Sequence, residues 1–148
     1  MKQRGKRAVS IAASAMALAA GLVVGGPANP ASAAPNVYFY SYTFSNGAGR
    51  IDVYNDGDYA GTAQWAADPG DFGSSTGDSL IASDQLADGY GIEAHVNDGR
   101  DTATTRGHSA PYTDKVTGDL LEGADLKLWA CYVQGTYSKC SDKIDVHA

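Results

Sequence analysis

Val37 to Phe44 is written in period two: Tyr38, Tyr40, Tyr42 and Phe44 fall on one side, Val37, Phe39, Ser41 and Thr43 on the other. Side chains of an extended chain alternate between faces, so this run predicts a strand. Ile51–Tyr54, Tyr59–Trp65, Ser79–Ala82, Tyr90–Val96, Asp101–Arg106, Lys127–Gln134 and Tyr137–Val146 read as strands too. Between them stand Asn46-Gly47, Asn55-Asp56-Gly57-Asp58, Asp68-Pro69-Gly70-Asp71 and Asn97-Asp98-Gly99-Arg100, residue types that favour turns. Past residue 33 no long helical period occurs, and the short run Leu80 to Leu86 leads into Asp88-Gly89. About eight short strands so punctuated predict an all-β domain, a single antiparallel β-sandwich or barrel.

Three hairpins can be placed residue by residue. With Asp56-Gly57 as central residues, a type I′ turn pairs Tyr54 with Tyr59, and the same Asn-Asp-Gly at positions 97 to 99 pairs Val96 with Asp101. Similar turn chemistry used twice accounts for this echo without a duplication. Gly135-Thr136 suits a type II′ loop, which pairs Gln134 with Tyr137 and, counting outward, Cys131 with Cys140. That register sets the cysteines opposite one another at a non-hydrogen-bonded position, where strands approach closely.

The residues before the first strand carry a different pattern. Lys2, Arg4, Lys6 and Arg7 precede an apolar run from Ala8 to Val24, closed by Gly25-Gly26-Pro27 and Ala31-Ser32-Ala33. This is the order of a secretory signal peptide cut after Ala33, which leaves residues 34–148 as one β domain, secreted to the extracellular space. A membrane anchor is the rival reading, but the run is mostly weakly apolar Ala and ends in helix-breaking residues. Without the leader, seven basic residues remain against 17 acids, a net charge of −10. Such a surface disfavours nucleic acid and anionic lipid, so after cleavage the expected partner is an extracellular protein or glycan. An even pair of cysteines in an oxidising compartment predicts one structural disulfide, Cys131 to Cys140.

Motifs for chemistry are weak. Gly73-Ser74-Ser75-Thr76-Gly77 spells G-x-S-x-G, but that motif needs a strand-to-helix elbow to expose its serine, and here it sits in a Gly/Ser loop. His108 is the best single general-base candidate, while Glu93 and His95 share a strand face as an ion pair or a site. Asp52 to Gly57 begins like an EF-hand, yet Tyr54 and Ala63 occupy positions where ligands are required. Looser calcium binding by Asp56, Asp58, Asp98 or Asp101 competes with their use as turn formers. No metal and no cofactor is called for.

Several stretches together carry a resemblance. Ala87-Asp88-Gly89-Tyr90-Gly91-Ile92-Glu93-Ala94, then Thr105-Arg106-Gly107-His108-Ser109-Ala110-Pro111-Tyr112, then Leu121-Glu122-Gly123-Ala124 lead into Leu128-Trp129-Ala130-Cys131-Tyr132-Val133 and Cys140-Ser141. Over roughly the C-terminal half the chain resembles a group of small secreted actinobacterial proteins of unassigned function. The resemblance implies an exported compact β-domain and no activity. Such proteins often hold a further cysteine after the Pro-Tyr; Thr113 and Asp114 stand there in this chain. The last hairpin more loosely resembles fibronectin-type and immunoglobulin-like sandwiches.

Nine tyrosines and two tryptophans make aromatic side chains the main candidate for binding. Tyr38, Tyr40 and Tyr42 share a strand face, with Tyr54 and Tyr59 expected opposite each other nearby. Either they form a surface for a glycan or protein, since the ring is apolar and the hydroxyl wet, or they are core. A secreted non-catalytic binding domain is the leading expectation. An inhibitor of proteases or glycosidases presenting Arg106 to Tyr112 comes second, and a small secreted hydrolase third.

Overall fold

Period-two runs become strands because each can turn one set of side chains into a core and the other to solvent. The computed structural model describes residues 33–148, so the leader reading lies outside the described residues apart from Ala33. Ten strands form: β1 Val37–Thr43, β2 Gly49–Asn55, β3 Asp58–Ala66, β4 Ser79–Asp84, β5 Gly91–Val96, β6 Ala103–Thr104, β7 Tyr112–Thr117, β8 Asp125–Gln134, β9 Tyr137–Cys140 and β10 Ile144–His147. They make two antiparallel sheets, ordered β1-β2-β3-β4-β7 and β10-β8-β5-β6, with β9 also paired to β8. The fold is all-β and antiparallel, as expected, and of the sandwich and barrel alternatives it takes the two-sheet form. Among the described residues no helix is long and apolar enough to cross a membrane.

Two strands more than the expected eight have physical causes. β7 lacks an apolar alternation, and its Asp114 carboxylate instead accepts the Thr104 N–H at 2.9 Å, tying β7 to β6 in the other sheet. Tyr137–Val146 is broken into β9 and β10, which follow one another along the same flank of β8. At the break the Ser141 hydroxyl accepts the Ala130 N–H at 3.1 Å, and the Ser141 N–H donates to the Ala130 carbonyl at 2.9 Å. A serine side chain there replaces a ladder carbonyl.

The inner faces meet in one core. Ile51, Val53, Ala63, Trp65, Leu80 and Ala82 from one sheet face Ile92, Ala94, Leu128, Ala130, Tyr132 and Val146 from the other. Trp65 is fully buried, and its indole N–H donates to the His147 carbonyl at 2.7 Å. β3 reaches this arrangement through a bulge: Tyr54 pairs Tyr59 but Val53 pairs Gly61, leaving Ala60 as the extra residue. The bulge keeps Tyr59 beside Tyr54 while Ala60, Ala63 and Trp65 point inward. A Cβ at Gly61 would stand 2.0 Å from the Ser83 carbonyl oxygen, so only glycine fits.

The hairpins divide. Asp56 and Gly57 both take positive φ, 52° and 97°, and Tyr54 faces Tyr59 as the type I′ reading expects. Gln134 faces Tyr137, and Cys131 faces Cys140 in a disulfide with Cα atoms 4.0 Å apart. The turn at Asn97 departs from expectation. Gly99 has positive φ but Asp98 does not, and pairing begins only at Ala94 with Ala103. The reason is Arg100: the Asp98 carboxylate accepts its backbone N–H at 3.1 Å and holds its guanidinium, which lies 4.7 Å over the Trp65 ring. Burial pushes the Asp98 carboxyl up, but the Arg100 hydrogen bonds and charge outweigh it, leaving the group below its ordinary value.

Candidate functional site

Val37 decides which way β1 faces. It is buried in the core with Phe39 packed partly against it, so the alternation turns Tyr38, Tyr40 and Tyr42 outward, 48%, 55% and 49% exposed. The tyrosine stripe is therefore surface. Phe44 extends it, edge-on to Phe72 at 5.6 Å, where Asn46 hydrogen-bonds Asp71 at 3.0 Å and anchors the turn.

Pairing with β2 supplies the rest of the site. Tyr38 lies opposite Tyr54, Tyr40 opposite Asp52 and Tyr42 opposite Arg50. Tyr38, Tyr40, Tyr42, Tyr54 and Gly57 line an open trough of about 460 Å³. Tyr54 stands edge-on to Tyr40, with ring centroids 5.5 Å apart and planes at 90°, so the rings form a wall and a floor and not a flat platform. The Asn36 amide donates to the Tyr38 hydroxyl at 2.6 Å and holds that ring.

A polar row runs behind the rings. The Arg50 guanidinium pairs with Asp52 at 2.6 Å and reaches the Tyr59 hydroxyl at 3.5 Å. Burial alone would lower the Arg50 pKa, but Asp52 outweighs it and the net shift is upward. The Tyr59 hydroxyl is raised by burial and then by Asp52, against the opposing pull of Arg50, so it stays neutral. Tyr59 packs against Tyr54 at 5.4 Å, but it is half-buried and stands behind the trough. Gly57 lines the trough, a role its turn chemistry did not announce.

The other sequence candidates fall elsewhere. Ser75 is exposed in the loop between the 3₁₀ turn Asp71–Gly73 and β4, with no helix behind it to make an elbow. Glu93 sits between His95 at 3.4 Å and Arg106 at 3.0 Å, and the His95 ring stacks on Trp129 at 5.2 Å. Burial lowers the His95 pKa more than Glu93 raises it, so this ring is neutral at pH 7. Among the described residues no group of three or more His, Cys, Asp or Glu could hold a metal.

His108 reaches a second cavity, of about 200 Å³, whose lining includes Asp84, Leu86, Tyr90 and Ser109. Its ring lies flat on Tyr112, centroids 3.8 Å apart. Asp84 is only 3% exposed and accepts the Leu86 N–H at 3.1 Å. Burial raises its carboxyl above the ordinary range, against the pull of that hydrogen bond and with help from Asp88. Asp88 in turn takes the Tyr132 hydroxyl and the Asn55 amide, and burial together with Asp88 raises the Tyr132 hydroxyl strongly.

No family model, curated protein or solved structure matches this chain.

Proposed function

We propose that the protein is a secreted, non-catalytic binding module whose tyrosine trough takes a neutral glycan. One observation carries this reading: Tyr38, Tyr40, Tyr42 and Tyr54 converge, partly exposed, on an open trough of about 460 Å³. Large apolar rings left in water on one strand face cost hydration free energy unless something covers them. A sugar ring is matched to that surface, since its C–H face stacks on a tyrosine while its hydroxyls meet the phenol groups. The edge-on wall of Tyr54 beside Tyr40 fits a ring that offers both a face and a rim. Negative charge on the protein argues for a neutral polymer over an acidic one. Affinity electrophoresis through gels cast with neutral polysaccharides tests the reading. The parent should be retarded in at least one gel and Tyr40→Ser should run freely; free migration of the parent in all of them overturns it.

A second reading, a secreted inhibitor, draws on the loop from Arg106 to Tyr112. It is largely exposed yet braced, by Arg106 on Glu93 and on the Gly135 carbonyl, and by His108 stacked on Tyr112.

A further inference from the structure

β1 is the outer strand of its sheet, so one flank of its backbone has no neighbour in the ladder. Hydrogen bonds at its ends identify that flank. The Asn36 carbonyl accepts the Asp56 N–H, and Phe44 bonds to Ala48 and Gly47, so the even-numbered residues turn towards β2. The odd-numbered residues turn outward. The Val37 carbonyl on that side is taken by the Lys139 ammonium at 2.8 Å. Phe39, Ser41 and Thr43 follow with their N–H and C=O groups on the open flank, and Ser41 and Thr43 are exposed.

Exposed edges are normally blunted by charge, proline, a bulge or brevity, because free donors and acceptors template another strand. Within β1 itself none of these occurs, and the one charge on the flank, Lys139, covers only the Val37 carbonyl at its start. Its seven residues, VYFYSYT, contain no charge and no proline, and its register with β2 runs without a shift. The sequence is also close to a mirror about Tyr40, with Tyr38 and Tyr42 equally spaced around it.

We infer that β1 pairs antiparallel with β1 of a second copy about a two-fold axis at Tyr40. Closed two-fold contacts use one patch twice, which a strand symmetric about its middle satisfies. In this register Phe39 and Ser41 exchange both backbone hydrogen bonds with Ser41 and Phe39 of the second copy. Tyr40 meets its own counterpart at a non-hydrogen-bonded position, and Tyr38 faces Tyr42, giving cross-strand aromatic pairs. The two sheets become one, and the two aromatic rows join on one face. Half-exposed tyrosines, of the roughly 150–250 Å² that an aromatic ring can bury, give up at most about 100 Å² each. Six such rings at that ceiling give about 600 Å², which with the paired backbones stays below the roughly 1,000 Å² of a stable specific interface. The dimer is accordingly weak, and since both copies are acidic, salt strengthens it. The inference rests on the strand edge and not on the trough's ligand, although Tyr38, Tyr40 and Tyr42 take part in both.

Cysteine substitution tests the register. Opposed non-hydrogen-bonded Cα atoms lie about 4.5 Å apart, within reach of a disulfide. Tyr40→Cys should form a covalent dimer on mild oxidation, with mass spectrometry mapping the new disulfide to position 40 of both copies. Tyr38→Cys and Tyr42→Cys should each fail alone and cross-link when mixed. In sedimentation the parent's average mass should rise with concentration, and Ser41→Pro, which removes an N–H with no partner in the monomer, should stay monomeric. A parent that remains monomeric at all concentrations, or Tyr38→Cys linking to itself as readily as Tyr40→Cys, overturns the inference. Should Ser41→Pro fail to fold, the cysteine series decides alone.

Discussion

Replacing Arg100 with Met should destabilise the domain by about 3–5 kcal/mol, the cost of orphaning a buried charge. The pair is deep: the Arg100 and Asp98 side chains are each 9% exposed. Arg100 also donates to the Asp78 carbonyl and lies 4.7 Å over the Trp65 ring, a cation–π contact of roughly 1–2 kcal/mol when desolvated. Methionine fills much of the space but leaves the Asp98 carboxylate without its partner. With a urea slope of about 1–3 kcal/mol per molar, the unfolding midpoint should fall by roughly 2 M. pH gives a second check. Arg100 holds the folded Asp98 carboxyl below its ordinary value of 3.8, so this stabilisation is present above that value and fades as pH falls through the lower, folded one. The gap between parent and variant should therefore narrow in acid. Adding Asp98→Asn to Arg100→Met should recover part of the loss, because it removes the orphaned charge. A single variant within about 1 kcal/mol of the parent at pH 7, measured against the cost expected for such a pair, would refute the reasoning.

Two further outcomes follow from the same structure. Changing both Cys131 and Cys140 to Ala removes a link with a sequence separation of 9 and should cost about 2–3 kcal/mol, or roughly 10 °C in melting temperature; an unchanged melting curve contradicts it. Asp84→Asn should stabilise the protein at pH 7. Burial raises the folded Asp84 carboxyl above its ordinary 3.8, so what this group adds to stability is full below that value and is lost as pH rises past it. Asn keeps an acceptor for the Leu86 N–H and carries no charge, so its advantage should vanish below about pH 4, and a variant no more stable than the parent at pH 7 sinks the argument.

Local patterns made much of the fold legible. β1 announced itself by alternation, and Asp56-Gly57 and Gly135-Thr136 named their turns because few residues tolerate the backbone those turns need. The second Asn-Asp-Gly shows where this stops: the same three residues make a different turn because Arg100, next in line, is drawn to Trp65 from another strand. β7 was hidden because Asp114 and Lys115 interrupt its apolar pattern, and the carboxylate that breaks it is what fastens the two sheets. The bulge at Ala60-Gly61 reverses the phase of β3 within a run that reads as one strand. For the tyrosine stripe, the sequence supplied the shared face but not its direction. That came from packing: Val37 turns into the core, and β2 alongside sets Ile51 and Val53 inward and Arg50 and Asp52 on the tyrosine side. The cavity beside His108 joins residues more than twenty positions apart, Asp84 and Ser109 among them, a meeting no local pattern encodes.

The most direct test of the binding reading is titration calorimetry of parent and a Tyr38→Ser, Tyr40→Ser, Tyr42→Ser triple variant against the neutral polysaccharide that retards the parent, with thermal melting of both. Side chains about half exposed are expected to contribute to binding beyond their role in folding, and anchors of this kind each carry about 2 kcal/mol. Affinity should fall by about a thousandfold, the equivalent of losing two such anchors, with a cooperative melting transition retained. A folded triple variant that binds as tightly as the parent would contradict the glycan-binding trough.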